Sequence, residues 1–168
     1  MSAMRIDLYE RIWMWAGGVM IAAFLLVMTF SSVAHAVHPP SHVETIDPAK
    51  VATDPDFSRP RVETRADGSM LVVGTAEMYA FHPDSIRVTR GRPVTFRLTS
   101  TDVVHGFEVV GTNANAMLLP GYVTQFTVTF PRAGDYLIVC NEYCGLPHHL
   151  MQASLRVEDA TERRAPAP

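Results

Sequence analysis

Residues 140–151 read CNEYCGLPHHLM, and this stretch contains both cysteines of the 168-residue chain. Cys140 and Cys144 lie four positions apart; His148 follows the second cysteine by four positions, and Met151 follows His148 by three. Two thiols, an imidazole and a thioether so close together form a soft set of metal ligands. Soft sulfur and imidazole donors favour copper over magnesium, calcium and manganese. The stretch therefore predicts a copper site.

The ligand stretch lies between two segments that have the pattern of β-strands. Apolar and polar residues alternate in several short runs, and this period of two is typical of strands with one buried face. Turns that contain proline or glycine separate the runs. The predicted strands are residues 70–73, 85–89, 94–99, 106–110, 123–130, 136–139 and 153–157. About seven short strands predict an all-β sandwich or barrel over residues 70–158, with the ligands on a loop between two strands.

An apolar segment near the N-terminus predicts a membrane anchor. Residues 12–34 carry no charge, and as a helix they would be roughly 34 Å long, enough to cross a hydrocarbon core of about 30 Å. Arg5 and Arg11 precede this segment, and the next basic residue is Lys50. That asymmetry favours a cytoplasmic N-terminus, residues 1–11, with the bulk of the chain on the outer face of the cell (inner) membrane.

A cleaved signal peptide is the alternative interpretation of the same segment, because residues 34–36 (Ala-His-Ala) have the small-x-small form of a cleavage site. The apolar run is longer than the ~7–15 residues usual in a signal peptide, so a retained anchor is favoured. Both interpretations place residues 37–168 outside the cytoplasm. Residues 35–69 are proline-rich and are predicted to be a linker, and the polar tail 159–168 is predicted to be disordered.

The composition of the chain excludes several classes of function. The 14 basic and 17 acidic residues give a formal charge of -3, and no basic patch interleaves with aromatic residues, so nucleic acid is not an expected partner. Two cysteines are too few for a disulfide scaffold. Three alternatives to an electron-transfer site stay open: a single disulfide, structural zinc with two cysteines and two histidines, and a copper-delivery protein.

A further strong ligand must come from outside the stretch, and His105 is the best candidate. It begins a predicted strand as Cys140 ends one, so the two can meet at one end of the sandwich. His105 together with Cys144, His148 and Met151 would form the ligand set of a mononuclear blue-copper electron-transfer site.

Cys140 changes this expectation, because a second thiolate beside the first allows both sulfurs to bridge two copper ions. Each ion would take one histidine, His105 or His148. Met151 can serve one ion as a weak axial ligand, and a backbone carbonyl between the cysteines, such as that of Glu142, can serve the other. An electron spread over two metals changes bond lengths little, so such a centre is suited to electron transfer and leaves no open position for substrate.

The ligand motif, together with Asp102-Val103-x-His105-Gly106-Phe107 upstream of it, resembles the dinuclear copper A domain of cytochrome c oxidase subunit II. The resemblance covers roughly residues 70–158 and implies a cupredoxin-like Greek-key fold. The single membrane span is similar to that of B-type haem-copper oxidases. The implied metal ligands are His105, Cys140, Glu142, Cys144, His148 and Met151. Asp102 itself is interpreted as a solvated loop residue.

The resemblance implies a function within a membrane complex. The copper centre would accept electrons from cytochrome c, or from a small copper protein, and pass them to haem in subunit I for dioxygen reduction. The complex would be an oxidoreductase, whereas this chain alone would be an electron carrier without catalytic residues. Two alternatives stay open: a copper A subunit of a nitric oxide reductase and, from another class, a membrane-anchored copper chaperone.

Overall fold

A computed structural model describes residues 7–34 and 44–160 of the chain, which belong to two separate compact units. The first unit contains one α-helix, α1, which runs from Leu8 to Ala34. Asp7 precedes it, and its backbone N–H donates to the Glu10 carboxylate at 3.1 Å, as in a capping box. The helix was predicted to begin at residue 12. It begins one turn earlier, within residues 1–11, which were predicted to be a cytoplasmic segment.

The large apolar side chains of α1 are exposed in the part of the chain that the structure describes. Trp13, Phe24 and Phe30 keep 76%, 62% and 71% of their surface accessible. The helix is long and apolar enough to cross a membrane over Leu8–Val33. Apolar side chains on every face of a helix are unfavourable in water, so this surface is suited to lipid. The prediction of one N-terminal apolar helix that can span a membrane is confirmed.

The second unit is built from two β-sheets. Its strands are β1 (Glu44–Thr45), β2 (Arg61–Thr64), β3 (Met70–Glu77), β4 (Ala80–His82), β5 (Ser85–Thr89), β6 (Pro93–Ser100), β7 (His105–Val109), β8 (Asn115–Leu118), β9 (Tyr122–Thr129), β10 (Gly134–Val139) and β11 (Gln152–Glu158). The first sheet has the order β1-β9-β6-β3-β2, with β4 paired to β3. The second has the order β5-β11-β10-β7-β8. Most neighbours are antiparallel, but β3 pairs with β6, and β5 with β11, in parallel.

The main core is rich in aromatic side chains. Phe96 of β6 and Phe107 of β7 are almost completely buried, with ring centroids 5.4 Å apart. Phe81 meets Phe107 edge-to-face at 5.7 Å. Such pairs contribute about 0.5–1.5 kcal/mol beyond the burial of their apolar area. The prediction of an all-β sandwich is confirmed.

All seven predicted strands are present, as β3, β5, β6, β7, β9, β10 and β11. The strands that the sequence pattern missed are β1, β2, β4 and β8, and these have only two to four residues each. So short a strand shows too few alternations to be recognised. β3 is longer than predicted, because both of its faces are buried and an almost continuous apolar run hides the period of two.

Residues 44–60, which we call the strap, pack against the first sheet through a small second core. Val51 and Phe57 of the strap are buried together with Leu71 and Val73 of β3. These two β3 residues alternate along the strand with residues of the main core. The strap therefore covers the face of β3 that points away from the main core.

A charged side chain also fixes the strap. The Arg97 guanidinium donates to both carboxylate oxygens of Glu44, at 3.0 and 2.8 Å, and lies 5.8 Å from the centre of the Phe57 ring. The prediction of a linker over residues 35–69 is therefore wrong for residues 44–69. The reason is that isolated apolar side chains, the pairing of Arg97 with Glu44 and Asp56, and the four-residue strand β2 hold this segment, and none of these produces a long periodic pattern.

The remaining predictions about the chain ends fall largely outside the described residues. These are residues 1–6 of the predicted cytoplasmic segment, residues 35–43 of the predicted linker and residues 161–168 of the predicted tail. At the described end of the chain, Asp159 pairs with Arg90 at 2.8 Å.

Phe57→Ala should release the strap. Truncating a buried phenylalanine costs about 3–5 kcal/mol, and the small second core favours the lower value. A loss of about 3 kcal/mol is on the order of 100-fold faster amide hydrogen exchange from the locally open state. Mass spectrometry of the full chain in detergent should show this in residues 44–60. Leu137→Ala, at a side chain that is 46% exposed, is the control and should leave strap exchange unchanged.

Candidate metal centre

The central strand of the second sheet, β10, brings the predicted ligands to one end of the sandwich. β10 pairs antiparallel with β7 on one side and with β11 on the other. In this antiparallel pairing Val139 lies opposite Glu108, so the chain before Glu108 and the chain after Val139 extend to the same edge. His105 and Cys140 both lie there. The backbone N–H of Cys140 donates to the Met151 carbonyl at 3.2 Å, so these two residues close the base of the ligand loop. The predicted juxtaposition of His105 and Cys140 is present.

The two cysteines and two histidines form a pairwise arrangement. The sulfurs of Cys140 and Cys144 are 3.8 Å apart. The Nδ1 atom of His105 lies 3.8 Å from the Cys140 sulfur, and the Nδ1 atom of His148 lies 3.6 Å from the Cys144 sulfur. Three of these residues form a compact group. The ligand atoms of His105, Cys140 and Cys144 all lie within 4.8 Å of one another.

Two weaker donors complete the site. The Met151 sulfur lies 3.7 Å from the Cys144 sulfur, and the Glu142 carbonyl oxygen lies 3.2 Å from the Cys140 sulfur. The Glu142 side chain is exposed, so its backbone faces the site and its carboxylate does not. The structure thus brings all six predicted residues together. His149, the neighbour of His148, is exposed as expected.

Both cysteines are buried free thiols, so no disulfide joins them in this structure. A disulfide would bring the sulfurs to about 2.05 Å, well below their separation here. Burial, with the neighbouring Cys140, raises the pKa of the Cys144 thiol to about 11. The thiolate form therefore needs a positive charge beside it, which a metal ion would supply.

A carboxylate fixes the orientation of His105. The Nε2 atom of His105 lies 2.8 Å from Asp102 Oδ1, which leaves Nδ1 facing the sulfurs. Asp102 Oδ2 also accepts from the backbone N–H of Met78 at 2.7 Å. Partial burial acts to raise the pKa of Asp102, but the hydrogen bonds from His105, Met78 and Val103 outweigh it and hold that pKa below its usual value. The interpretation of Asp102 as a solvated loop residue is wrong, because its carboxylate orients a predicted ligand.

Gly106 allows the ligand loop to lie directly on β7. A Cβ atom at this position would overlap the Asn141 side-chain oxygen and would be 2.8 Å from the backbone nitrogens of Asn141 and Glu142. The Asn141 amide also donates to Glu108 at 3.0 Å and to Asn115 at 3.2 Å. Asn141 therefore ties the segment between the two cysteines to β7 and β8.

Sequence reasoning missed the roles of Asp102, Gly106 and Asn141. The available signals were local: a carboxylate three positions before a predicted ligand, a glycine directly after it, and an amide between the two cysteines. Each signal is common in loops, and none indicates which side chain or backbone it will meet.

The donor set fits copper. Two buried sulfurs 3.8 Å apart can both contact one ion at the roughly 2.3 Å usual for metal–thiolate bonds. Structural zinc would use the two thiolates and two imidazoles, but it would leave no role for the thioether of Met151, which is 2% exposed and faces Cys144. Thiolate, imidazole and a weak thioether together are typical of copper electron-transfer sites.

Comparison with known proteins identifies the family. The family model for the periplasmic domain of cytochrome c oxidase subunit II matches residues 69–157. The chain belongs to this family. A cytochrome c oxidase subunit 2 of Thermus thermophilus is 34% identical over 155 residues, which cover 90% of this chain and 92% of that relative. Another subunit 2 from the same species is 35% identical over 133 residues, which cover 78% of this chain and 98% of the relative.

Solved structures agree with the family. A chain in the cryo-EM structure of a heme-copper terminal oxidase dimer superposes with a TM-score of 0.61 at 30% identity, over 85% of this chain and 98% of its own length. The periplasmic domain of subunit II from Bradyrhizobium japonicum gives a TM-score of 0.51 at 15% identity, over 62% of this chain and 90% of its own length. The second likeness shows the fold alone.

The predicted family and cupredoxin-like fold are therefore confirmed. This subunit II is part of a haem-copper oxidase, an oxidoreductase complex, and subunit I is its implied partner. Its cupredoxin-like fold and its His105, Cys140 and Cys144 cluster fit copper. One apolar helix and a periplasmic-domain family fit a single-pass membrane protein with its β unit on the outer face.

Asp102→Ala should weaken copper binding by about 10- to 100-fold, because loss of the partner that orients a metal-binding histidine has effects of this size. The measurement is the amount of copper that the full chain retains against increasing concentrations of a copper chelator. Asp84→Ala removes an exposed carboxylate elsewhere and is the control. Equal copper retention by the two variants would show that Asp102 has no role in holding His105.

Proposed function

We propose that this subunit holds a dinuclear copper A centre that relays single electrons. The observation that supports this most strongly is the pairwise arrangement of the ligands. Each of the two buried sulfurs faces one histidine nitrogen, at 3.8 Å for Cys140 and His105 and at 3.6 Å for Cys144 and His148. A one-copper site needs one thiolate, and Cys140 would then have no role.

When bound, the two copper ions would supply a centre that gains and loses one electron at a time. The protein residues have distinct parts in such a centre. The sulfurs of Cys140 and Cys144, which are 3.8 Å apart, would hold both ions. His105 is kept in one orientation by Asp102, and Met151 covers the Cys144 side from within the core. Cys140, Cys144, Met151 and His105 are buried and His148 is half-buried, so the site leaves little room for a substrate. The subunit itself would carry out no bond-making chemistry.

The family and the membrane anchor together suggest an electron donor and an electron acceptor for this centre. The centre would accept electrons from cytochrome c, or from a small copper protein, on the outer face of the cell membrane. It would pass them to haem in subunit I, where dioxygen is reduced. The single helix supports a B-type arrangement, with the N-terminus in the cytoplasm and the β unit on the periplasmic side.

Copper counting tests the dinuclear centre. The full chain, purified in detergent and loaded with copper, should bind two copper ions per chain, and its electron-spin signal should show one electron shared by two nuclei. Cys140→Ser should reduce the copper content to one ion or fewer, because only one thiolate would then remain to hold the metal. Met117→Leu, at a side chain that is 46% exposed, is the control and should keep both ions.

Either of two results would contradict the proposed centre, in its metal count or in its ligands. The first is one copper ion per wild-type chain, and the second is a two-copper signal in Cys140→Ser that matches the wild type. The first result would make the chain a mononuclear copper protein, and the second would show that Cys140 does not hold the two ions.

Copper exchange tests the chaperone alternative. A delivery protein must release its metal, so its ligands should be accessible to an acceptor. Here Cys140, Cys144 and Met151 are 6%, 4% and 2% exposed, and His105 is fully buried. We therefore expect the copper-loaded chain to keep its metal for hours in the presence of a competing apo-protein. Transfer within minutes would favour the chaperone.

The nitric oxide reductase alternative depends on the partner subunit. The named relatives are cytochrome c oxidase subunits, which favours dioxygen as the final acceptor. Purification of the native complex, followed by assay of dioxygen and nitric oxide consumption, distinguishes the two.

A further inference from the structure

The turn between β3 and β4 contacts both halves of the metal site. On one side, the backbone N–H of Met78 donates to Asp102 at 2.7 Å, and Asp102 holds His105. On the other side, the Tyr79 side chain lies against Gly145, the residue that follows Cys144. The two residues of this turn belong to neither the ligand loop nor the strand that carries His105.

The contact between Tyr79 and Gly145 is closer than a side chain at position 145 would permit. A Cβ atom there would be 3.0 Å from Tyr79 Cε1 and 3.1 Å from Tyr79 Cζ, and it would be closer still to the hydroxyl oxygen. Gly145 has φ +133°, a backbone conformation that favours glycine. Tyr79 is half-buried and packs against the main core, so its ring cannot move away freely.

Gly145 lies at a sensitive place in the ligand loop. It connects Cys144 to the short 3-10 helix Leu146–Leu150, which carries His148, and the backbone N–H of His148 donates to the Gly145 carbonyl at 3.1 Å. A shift of Gly145 therefore changes the position of Cys144 relative to His148. The Tyr79 ring closes the side of Gly145 on which a side chain would otherwise project.

We propose that Tyr79 is a positioning residue, which fixes the Cys144–His148 half of the metal centre by packing against Gly145. This inference rests on the proposed function in one respect, namely that Cys144 and His148 bind copper. The same β3–β4 turn supports the His105 half through Met78 and Asp102. One turn of the first sheet therefore braces both halves of a site whose ligands lie at the end of the second sheet.

Glycine substitutions provide a matched pair of variants. Gly134 has φ +147°, close to the value of Gly145, but a Cβ atom at Gly134 would meet nothing within 4 Å. Gly134→Ala and Gly145→Ala therefore introduce similar backbone strain, and only the second displaces Tyr79. In the copper-loaded full chain, Gly134→Ala should keep the wild-type absorption and electron-spin spectra and reduction potential. Gly145→Ala should alter all three and lose copper to a chelator at least about tenfold more readily.

Tyrosine substitutions separate positioning from general packing. Tyr136 is also partly buried against the main core, and its ring contacts Phe130 rather than the ligand loop. Tyr79→Ala and Tyr136→Ala should both destabilise the fold, but only Tyr79→Ala should change the copper spectra. Tyr79→Phe retains both ring carbons that face Gly145 and should restore most of the wild-type spectrum.

The double variant Tyr79→Ala/Gly145→Ala is the decisive measurement. Removing the ring makes room for the new methyl group, so Gly145→Ala should change the spectra and copper retention less in this background than in the wild type. Additive effects, or a Gly145→Ala protein that matches Gly134→Ala, would overturn the proposal.

A readout without metal separates this proposal from the proposed function. In the apo-protein, Gly145→Ala should increase the alkylation rate of Cys144 at least about tenfold relative to Gly134→Ala, because the loop that buries its sulfur is displaced. Unchanged alkylation of Cys144 would contradict the positioning role whatever the metal content. One copper ion per wild-type chain would contradict the dinuclear centre and leave this comparison valid.

Discussion

The pairing of β10 with β7 and β11 is the constraint on which the metal site depends. β10 is in register with β11 over its whole length, and its last residue, Val139, pairs with Gln152. The ligand loop therefore has a fixed start and a fixed end. β7 on the other side of β10 brings His105 to the same edge. A one-residue slip in either pairing would reverse which side chains face the core, and would carry a ligand out of the site.

Burying the polar atoms of the ligands costs free energy unless they have hydrogen-bond partners, and the surrounding residues supply these partners. A fully buried histidine needs a partner for each ring nitrogen, and His105 has Asp102 on one side and the sulfurs on the other. In the described parts of the chain, every buried side-chain nitrogen and oxygen has a hydrogen-bond partner. The Cys144 thiol is different, because burial opposes its ionisation. Copper binding must therefore release protons, and the free energy of binding must include the cost of ionising Cys144.

Sequence patterns could predict those parts of the molecule in which apolar residues recur regularly or ligand residues lie close together. The long strands alternate, α1 is continuously apolar, and the ligands from Cys140 to Met151 lie within one short stretch, so all of these were recognisable. The strap was not, because Phe57 is a single residue in a proline-rich segment and the Arg97 side chain that holds Glu44 comes from β6, far along the chain. The orientation of His105 by Asp102 was not recognisable either, since an acidic residue in a loop is more often solvated than buried.

The contacts that hold the ligand loop also argue against a site that opens to deliver its metal. The hydrogen bond between Cys140 and Met151 closes the base of the loop, Asn141 ties it to β7 and β8, and Tyr79 braces it from the first sheet. These contacts fall between the ligands as well as at the ends of the loop, so they restrain the loop along its length. Electron transfer benefits from ligands that barely move when the charge changes, whereas metal delivery requires them to separate. A loop braced from both sheets is therefore better suited to an electron relay than to a carrier that exchanges its metal.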